Sequence, residues 1–173
     1  MTTLTQEEAH RLFEYRDGEL FWKERPRSDF KTGSRYAIWN ERYVYKKAGS
    51  CVGKYVNIAI KNIRHQAHRI IFVMHHGYFP TVVDHINGNP QDNRIENLRA
   101  ATYSENLMNS KIPKNNTSGL KNVVWHKQRQ KWGVRIIVNK KSKSFGLYDD
   151  IELADLVAYE ARNKYFGSFA RHS

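Results

Sequence analysis

Residues 82–109, VVDHINGNPQDNRIENLRAATYSENLMN, constrain this 173-residue chain more than any other stretch. An extended run from Thr81 to Ile86 carries Asp84 and His85 at its far end, and Asn87-Gly88-Asn89-Pro90 supplies a bend after it. Asn97 to Ala101 can return as a second strand. Thr102 and Glu105 then stand at capping-box spacing and open a helix that bears Asn106 and Asn109 on one face. Consecutive strand residues point to opposite sides, so Asp84 and His85 straddle the strand unless it bends there.

These residue types fit metal-assisted hydrolysis of a phosphodiester, which needs a water nucleophile, a base and a cation to stabilise the phosphate charge. His85 is the one titrating group of the stretch that can be neutral near pH 7 and accept a proton. Asp84 and Asn106 offer hard oxygen ligands suited to one Mg²⁺ or Mn²⁺. Asn97 can orient the imidazole or its loop. Asp, Asn and Gly also crowd ordinary turns, so spacing alone leaves a purely structural role open.

The rest of the chain is built for a polyanion: 29 Lys and Arg against 17 Asp and Glu give a net charge of +12. No apolar run approaches the ~18 residues of a spanning helix, and the N-terminal MTTLTQEEAHRL has no basic segment followed by an apolar one. The expectation is a soluble protein of the cytoplasm, not secreted. Cys51 is the single cysteine, so neither an internal disulfide nor a zinc site built from Cys pairs can form, and a packing role is expected for it.

Thr5 to Glu8 has capping-box spacing and predicts a short helix to about Tyr15. Asp17-Gly18 then makes a turn into a strand over Glu19–Lys23. Residues 25–64 hold ten Lys or Arg against two acids. Two alternating runs there, Arg42–Lys46 and Tyr55–Ile60, predict a ribbon turning around Gly49 and Gly53. Such a ribbon either lies in a DNA groove, with Arg42, Lys46, Lys47, Lys54 and Arg64 as contacts, or is a solvated sheet face. From His65 a helix with Ala67, Ile70, Ile71 and Met74 on one side runs to a stop at Gly77. Its His65, His68, His75 and His76 raise a metal alternative by i, i+3 spacing, although no Cys or Asp accompanies them.

The stretch HRIIFVMHHGYFP…VVDHINGNPQDNRIENLRAATYSENLMN resembles the HNH endonucleases of the phage and intron homing type, over roughly residues 65–110. DHINGN, DNRxENLR and xxTxxEN occur together and in order. The resemblance implies a ββα unit around one divalent metal, with His85 as general base, Asp84 as metal ligand and Asn97 as the central Asn. Asn106 stands where many relatives have His, and an amide oxygen there argues for Mg²⁺ or Mn²⁺ over zinc.

PKNNTS, residues 113–118, reads as a linker. Residues 114–145 then carry nine Lys or Arg and no acid. Strands are predicted at Val123–His126, Trp132–Val138 and Ser142–Tyr148, followed by a helix over Ile151–Tyr165. Leu153, Leu156, Val157 and Ala161 form its expected stripe against the sheet. A sheet with one covered face and one basic, aromatic face can read a major groove. The segment SGLKNVVWHKQRQKWGVRIIV…KSFGLYDDIELADLVAYEARNKYFG resembles the Apetala-type domain of plant ethylene-response factors. That resemblance makes Trp125, Lys127, Arg129, Lys131, Arg135 and Lys143 candidate DNA contacts, while Trp132 is either a further contact or, as favoured, part of the core. Asn122 stands where that family usually has Gly.

The expected class is α+β: a ββα-metal nuclease core at 65–112, a basic β region with a leading helix at 1–64, the linker, and at 119–173 a three-stranded antiparallel sheet on one helix. The expected function is a site-specific DNA endonuclease of the homing type, nicking double-stranded DNA once per chain, as monomer or homodimer. The alternative is a DNA-binding regulator that keeps the nuclease unit as scaffold. An RNA-binding module fits the charge but leaves Asp84, His85, Asn97 and Asn106 without a task. Removing residues 116–173 is expected to weaken recognition while sparing cutting.

Overall fold

Thr5 caps the first helix, α1 (Gln6–Leu12), its hydroxyl accepting from the Glu8 amide at 3.1 Å. The reciprocal half of the capping box does not form, because the Glu8 carboxylate binds Lys61 Nζ at 2.7 Å. A computed structural model describes residues 4–172, so the first three residues of the stretch read for a leader lie outside the described residues. The chain divides into two compact units, residues 1–101 and 102–173.

In the first unit α1 ends at Leu12, short of Tyr15, because Phe13 leaves for a strand. β1 (Phe13–Arg16) pairs antiparallel with β2 (Glu19–Trp22), Phe13 opposite Trp22. Asp17 (φ 42°) and Gly18 (φ 85°) turn between them. A Cβ on Gly18 would stand 2.8 Å from the Arg94 amide nitrogen, so glycine is required by both the turn and the close approach.

The strand expected over Arg42–Lys46 is not there. Residues Gly33–Tyr43 form α2, capped by Thr32 through the Arg35 amide. Trp39 and Tyr43 are four apart and share a helix face, where their rings lie 5.4 Å and 6.5 Å from Trp22. Aromatic packing at helical spacing thus overrides the alternation of Tyr43 and Tyr45. Arg42 sits in the last turn of α2. Lys46 and Lys47 follow in an extended segment bound to β2, with the Trp22 amide donating to Lys46 O at 3.0 Å.

The ribbon itself exists, one strand later. β3 (Ser50–Val52), β4 (Tyr55–Ile60) and β5 (Ile63–Gln66) form an antiparallel sheet in that order, with Gly53 (φ 67°) in the first turn. Cys51 lies exposed on β3, not in the core, because both neighbouring residues of this edge strand are exposed too. β5 claims His65 and Gln66, so α3 (Ala67–His76) starts at Ala67 and stops at Gly77 (φ 78°).

α3 is the axis of the unit: Ile70, Ile71, Phe72, Val73 and Met74 are all buried, among Leu12, Phe13, Leu20, Ile58, Val83 and Leu98. Each such side chain contributes roughly 1.5–3 kcal/mol by leaving water. β6 (Val82–His85) and β7 (Leu98–Ala101) pair antiparallel, Asp84 opposite Arg99 and His85 opposite Leu98.

The second unit opens with α4 (Tyr103–Met108), whose Thr102–Glu105 capping box is complete. β8 (Val123–His126), β9 (Lys131–Val138) and β10 (Lys141–Tyr148) form a sheet in the order β10-β9-β8, covered by α5 (Ile151–Phe166). The expected stripe on α5 is shifted. Ala154, Ala158 and Ala161 are buried, whereas Leu153 and Leu156 are exposed, because small residues let the helix approach the sheet closely. Met108 packs on Ile136, Ala161 and Phe166, which ties α4 to this core. The Lys121 ammonium donates to Met108 O at 3.0 Å and Ser110 O at 2.6 Å, closing the C-terminal end of α4. Asn122 takes φ 69°, the left-handed conformation that glycine would otherwise supply.

Candidate functional site

β6 carries Asp84 and His85 as adjacent residues at its C-terminal end. Both are buried. Asp84 Oδ2 accepts from Arg99 Nε and Nη2, each at 2.8 Å, across the β6–β7 pair. The guanidinium therefore sets the orientation of the carboxylate.

His85 Nε2 lies 3.0 Å from Asn93 Oδ1. An amide oxygen only accepts, so in this bond Nε2 is the donor. Asn93 is itself buried. On its ring faces and edges His85 meets His68 of α3 (centroids 4.9 Å apart) and Tyr55 of β4 (6.3 Å). Burial, and secondarily its neighbours His85 and Arg69, lowers His68 to about 3, which keeps it a neutral packing partner. Its Nδ1 is buried with no hydrogen-bond partner among the described residues.

The loop between β6 and β7 is held from inside. Asn97, buried at the end of a 3-10 turn (Ile95–Asn97), accepts from the Asn87 amide at 2.9 Å and donates to Asp92 O at 2.7 Å and Asn87 Oδ1 at 3.1 Å. Asn87 and Arg94 both bind the Asp92 carboxylate, whose pKa falls well below the ordinary range, chiefly through the Arg94 hydrogen bond. The β1–β2 hairpin backs the same loop: the Ile95 amide donates to Tyr15 Oη at 3.0 Å, and Gly18 abuts Asn93 and Arg94.

The structure thus gathers Asp84, His85 and Asn97 into one construction. Asn106 is an exposed residue of α4, which follows β7 after the single residue Thr102. Asn109, expected beside it, is the buried C-cap of that helix. Among the described residues no three His, Cys, Asp or Glu side chains converge as a cation cage. The buried Asp84 carboxylate is a hard oxygen donor of the kind that suits Mg²⁺ or Mn²⁺, cations that keep several waters.

Sequence reasoning missed Asn93, Arg99, Tyr15 and Gly18. Asn93 stood in the quoted DNRxENLR run, but a buried acceptor for His85 is visible only when the loop folds back. Of the candidate DNA contacts in the first unit, Arg42, Lys46, Lys47, Lys54 and Arg64 are all exposed. Lys47 is paired with Glu19, and Lys46 Nζ donates to Glu41 O.

In the second unit Lys127, Arg129 and Arg135 are exposed, and Lys131 pairs with Asp149 at 2.8 Å. The open face of the sheet differs from the basic, aromatic one expected. Trp132 packs in the helix-side core, and Trp125, opposite it in register, lies 4.8 Å from it on that same side. Lys143 is opposite Ile136 and reaches the Tyr165 ring of α5 at 4.7 Å. Val124, Arg135 and Ile137 occupy the other side. Strand parity, which assigns Trp125 and Lys143 to the covered face, is the reason.

Residues 65–108 match the family model described as HNH endonuclease. The chain is also 40% identical, over 95 residues, to Protein 3.8 of Escherichia phage T7, an alignment that spans 55% of this chain and 75% of that protein. No solved structure matches the chain.

Proposed function

Because the chain belongs to the family of Protein 3.8 of Escherichia phage T7 and carries an HNH endonuclease domain at residues 65–108, we propose that it is a metal-dependent endonuclease of the homing type, hydrolysing double-stranded DNA. The observation that carries this reading is the state of His85: a buried imidazole with Nε2 engaged by Asn93, one residue from the buried carboxylate of Asp84.

His85 takes a proton from the attacking water through Nδ1. The imidazolium so formed keeps its Nε2–H on Asn93, whose oxygen favours the charged ring. Asn97 holds the loop that places Asn93, and Arg99 holds Asp84. Asp84 and Asn106 would hold one Mg²⁺ or Mn²⁺, which when bound stabilises negative charge on the phosphate and the leaving oxygen. Exposed cations of both units contact the DNA backbone, among them Lys127, Arg129 and Arg135 on and beside the β8–β10 sheet. One site per chain cuts one strand, so the first product is a nick.

Supercoiled plasmid carrying phage DNA, incubated with Mg²⁺ or Mn²⁺, should convert to open circle, and EDTA should stop it. His85→Ala should cut roughly 10²–10⁴-fold more slowly while binding DNA normally. Absence of metal-dependent conversion on DNA shown to be bound would leave the regulator reading in its place.

A further inference from the structure

Away from His85, the first unit contains a cavity of about 540 Å³ walled by β3, β4 and α2. Trp22, Trp39 and Tyr43 supply its aromatic wall. Arg11, Arg25, Lys61 and Arg64 supply its cations, and no Asp or Glu lines it. Behind the lining, Asp29 accepts from Arg11 at 2.6 Å and from Arg25 at 3.0 Å, and Glu8 binds Lys61. Two carboxylates against four cations leave the site positive. Arg64 forms no salt bridge among the described residues. Arg25 lies over the Trp39 ring at 4.9 Å and over Phe30 at 4.7 Å, so its guanidinium and the indole are already ordered together.

We infer that this cavity binds an unpaired nucleotide of a DNA strand, its base against Trp39 and Tyr43 and its phosphates on Arg64 and Lys61. The volume falls in the range of small-ligand clefts, about 300–1,000 Å³, and is too small for a duplex. Bases inside a duplex show only their edges, whereas aromatic walls reward an exposed base face, as in single-strand binding grooves. Membrane headgroups offer phosphate without a ring to stack.

The cavity is also connected to the catalytic histidine. β4 supplies Tyr55 to His85 at one end and Asn57–Ile60 to the cavity at the other. At about 3.4 Å per residue the cavity residues lie ~7–17 Å from Tyr55 along the strand, a span of one to a few nucleotides. An endonuclease so equipped favours DNA with an unpaired stretch beside the cut. The inference takes its polymer, DNA, from the reading above.

Anisotropy titrations in EDTA, where nothing is cut, test it with a short fluorescent oligo(dT), a duplex of mixed sequence and an oligo(rU), using the full chain. Trp39→Ala should weaken oligo(dT) binding about tenfold, within the 1–3 kcal/mol of a base stack, and leave duplex binding within about twofold. Trp39→Phe, which keeps a ring, should retain most of the affinity. Arg64→Gln should lower the salt slope on oligo(dT) by about 0.7, the loss of one phosphate contact.

Equal losses on single and double strands, a Trp39→Phe variant as weak as Trp39→Ala, or tighter binding of oligo(rU) would each overturn the assignment. If Trp39→Ala fails to fold, the decision passes to Arg64→Gln, and an unchanged salt slope rejects the site. Oligo(dT) binding without plasmid cutting would reject the nuclease reading and keep the cavity. Cutting without oligo(dT) binding would do the reverse.

Discussion

A histidine serves as a base only while its ring is held in place, and Asn93 holds His85 through Nε2. Hydrogen bonds to charged groups contribute about 1.5–3 kcal/mol, so Asn93→Ala should slow cutting roughly 10–100-fold. KM for plasmid should stay unchanged. Asn93→Asp keeps an acceptor oxygen at the position and should recover much of the rate; equal damage from both variants would mean that Asn93 serves the loop and not the ring. At this scale the sequence was legible for identity but not for partnership. Asp84, His85 and Asn97 could be singled out from their residue types together with the resemblance to HNH endonucleases, whereas Arg99 and Asn93 became visible as their partners only through cross-strand register and loop closure.

Among the elements, α4 shows how a short helix depends on what it packs against. Six residues are too few for a stable isolated helix in water. Its capping box closes one end, and the Lys121 ammonium closes the other on Met108 O and Ser110 O. Burial lowers Lys121 to about 8, so the ammonium is kept near neutral pH by those two carbonyls against a desolvation cost. Lys121→Met should quicken amide exchange through residues 105–110 and slow cutting, with exchange in β9 unchanged. Unaltered exchange in α4 would show that its packing alone holds it. Helix α2 makes the complementary point. Thr32 as cap and Tyr36, Trp39 and Tyr43 at helical spacing were readable, but the alternation of Tyr43 and Tyr45 competed locally, and only the contact with Trp22 decides between them.

For the molecule as a whole, the +12 charge lies outside the catalytic stretch: residues 81–112 carry three basic and four acidic side chains. Its grip on DNA must therefore come from the flanking regions, and binding should be steeply salt-dependent. Removal of residues 116–173 should now be expected to abolish cutting as well as weaken binding, contrary to the sequence-based expectation, because Met108 and the carbonyls of α4 rest on residues 121–166. Metal-dependent nicking by the truncated chain at high concentration would show instead that α4 forms without that support. The α+β class, the turn at Asp17-Gly18, the stop at Gly77, the Thr102–Glu105 capping box and the three C-terminal strands were determined by the sequence alone, since periodicity and turn chemistry act between near neighbours. Tertiary structure decided the helix over 33–43, the exposure of Cys51, the covered position of Trp125 and the acceptor that makes His85 a base. Each depends on residues far apart in the chain competing for the same buried space or the same proton, and local pattern carries no record of that competition.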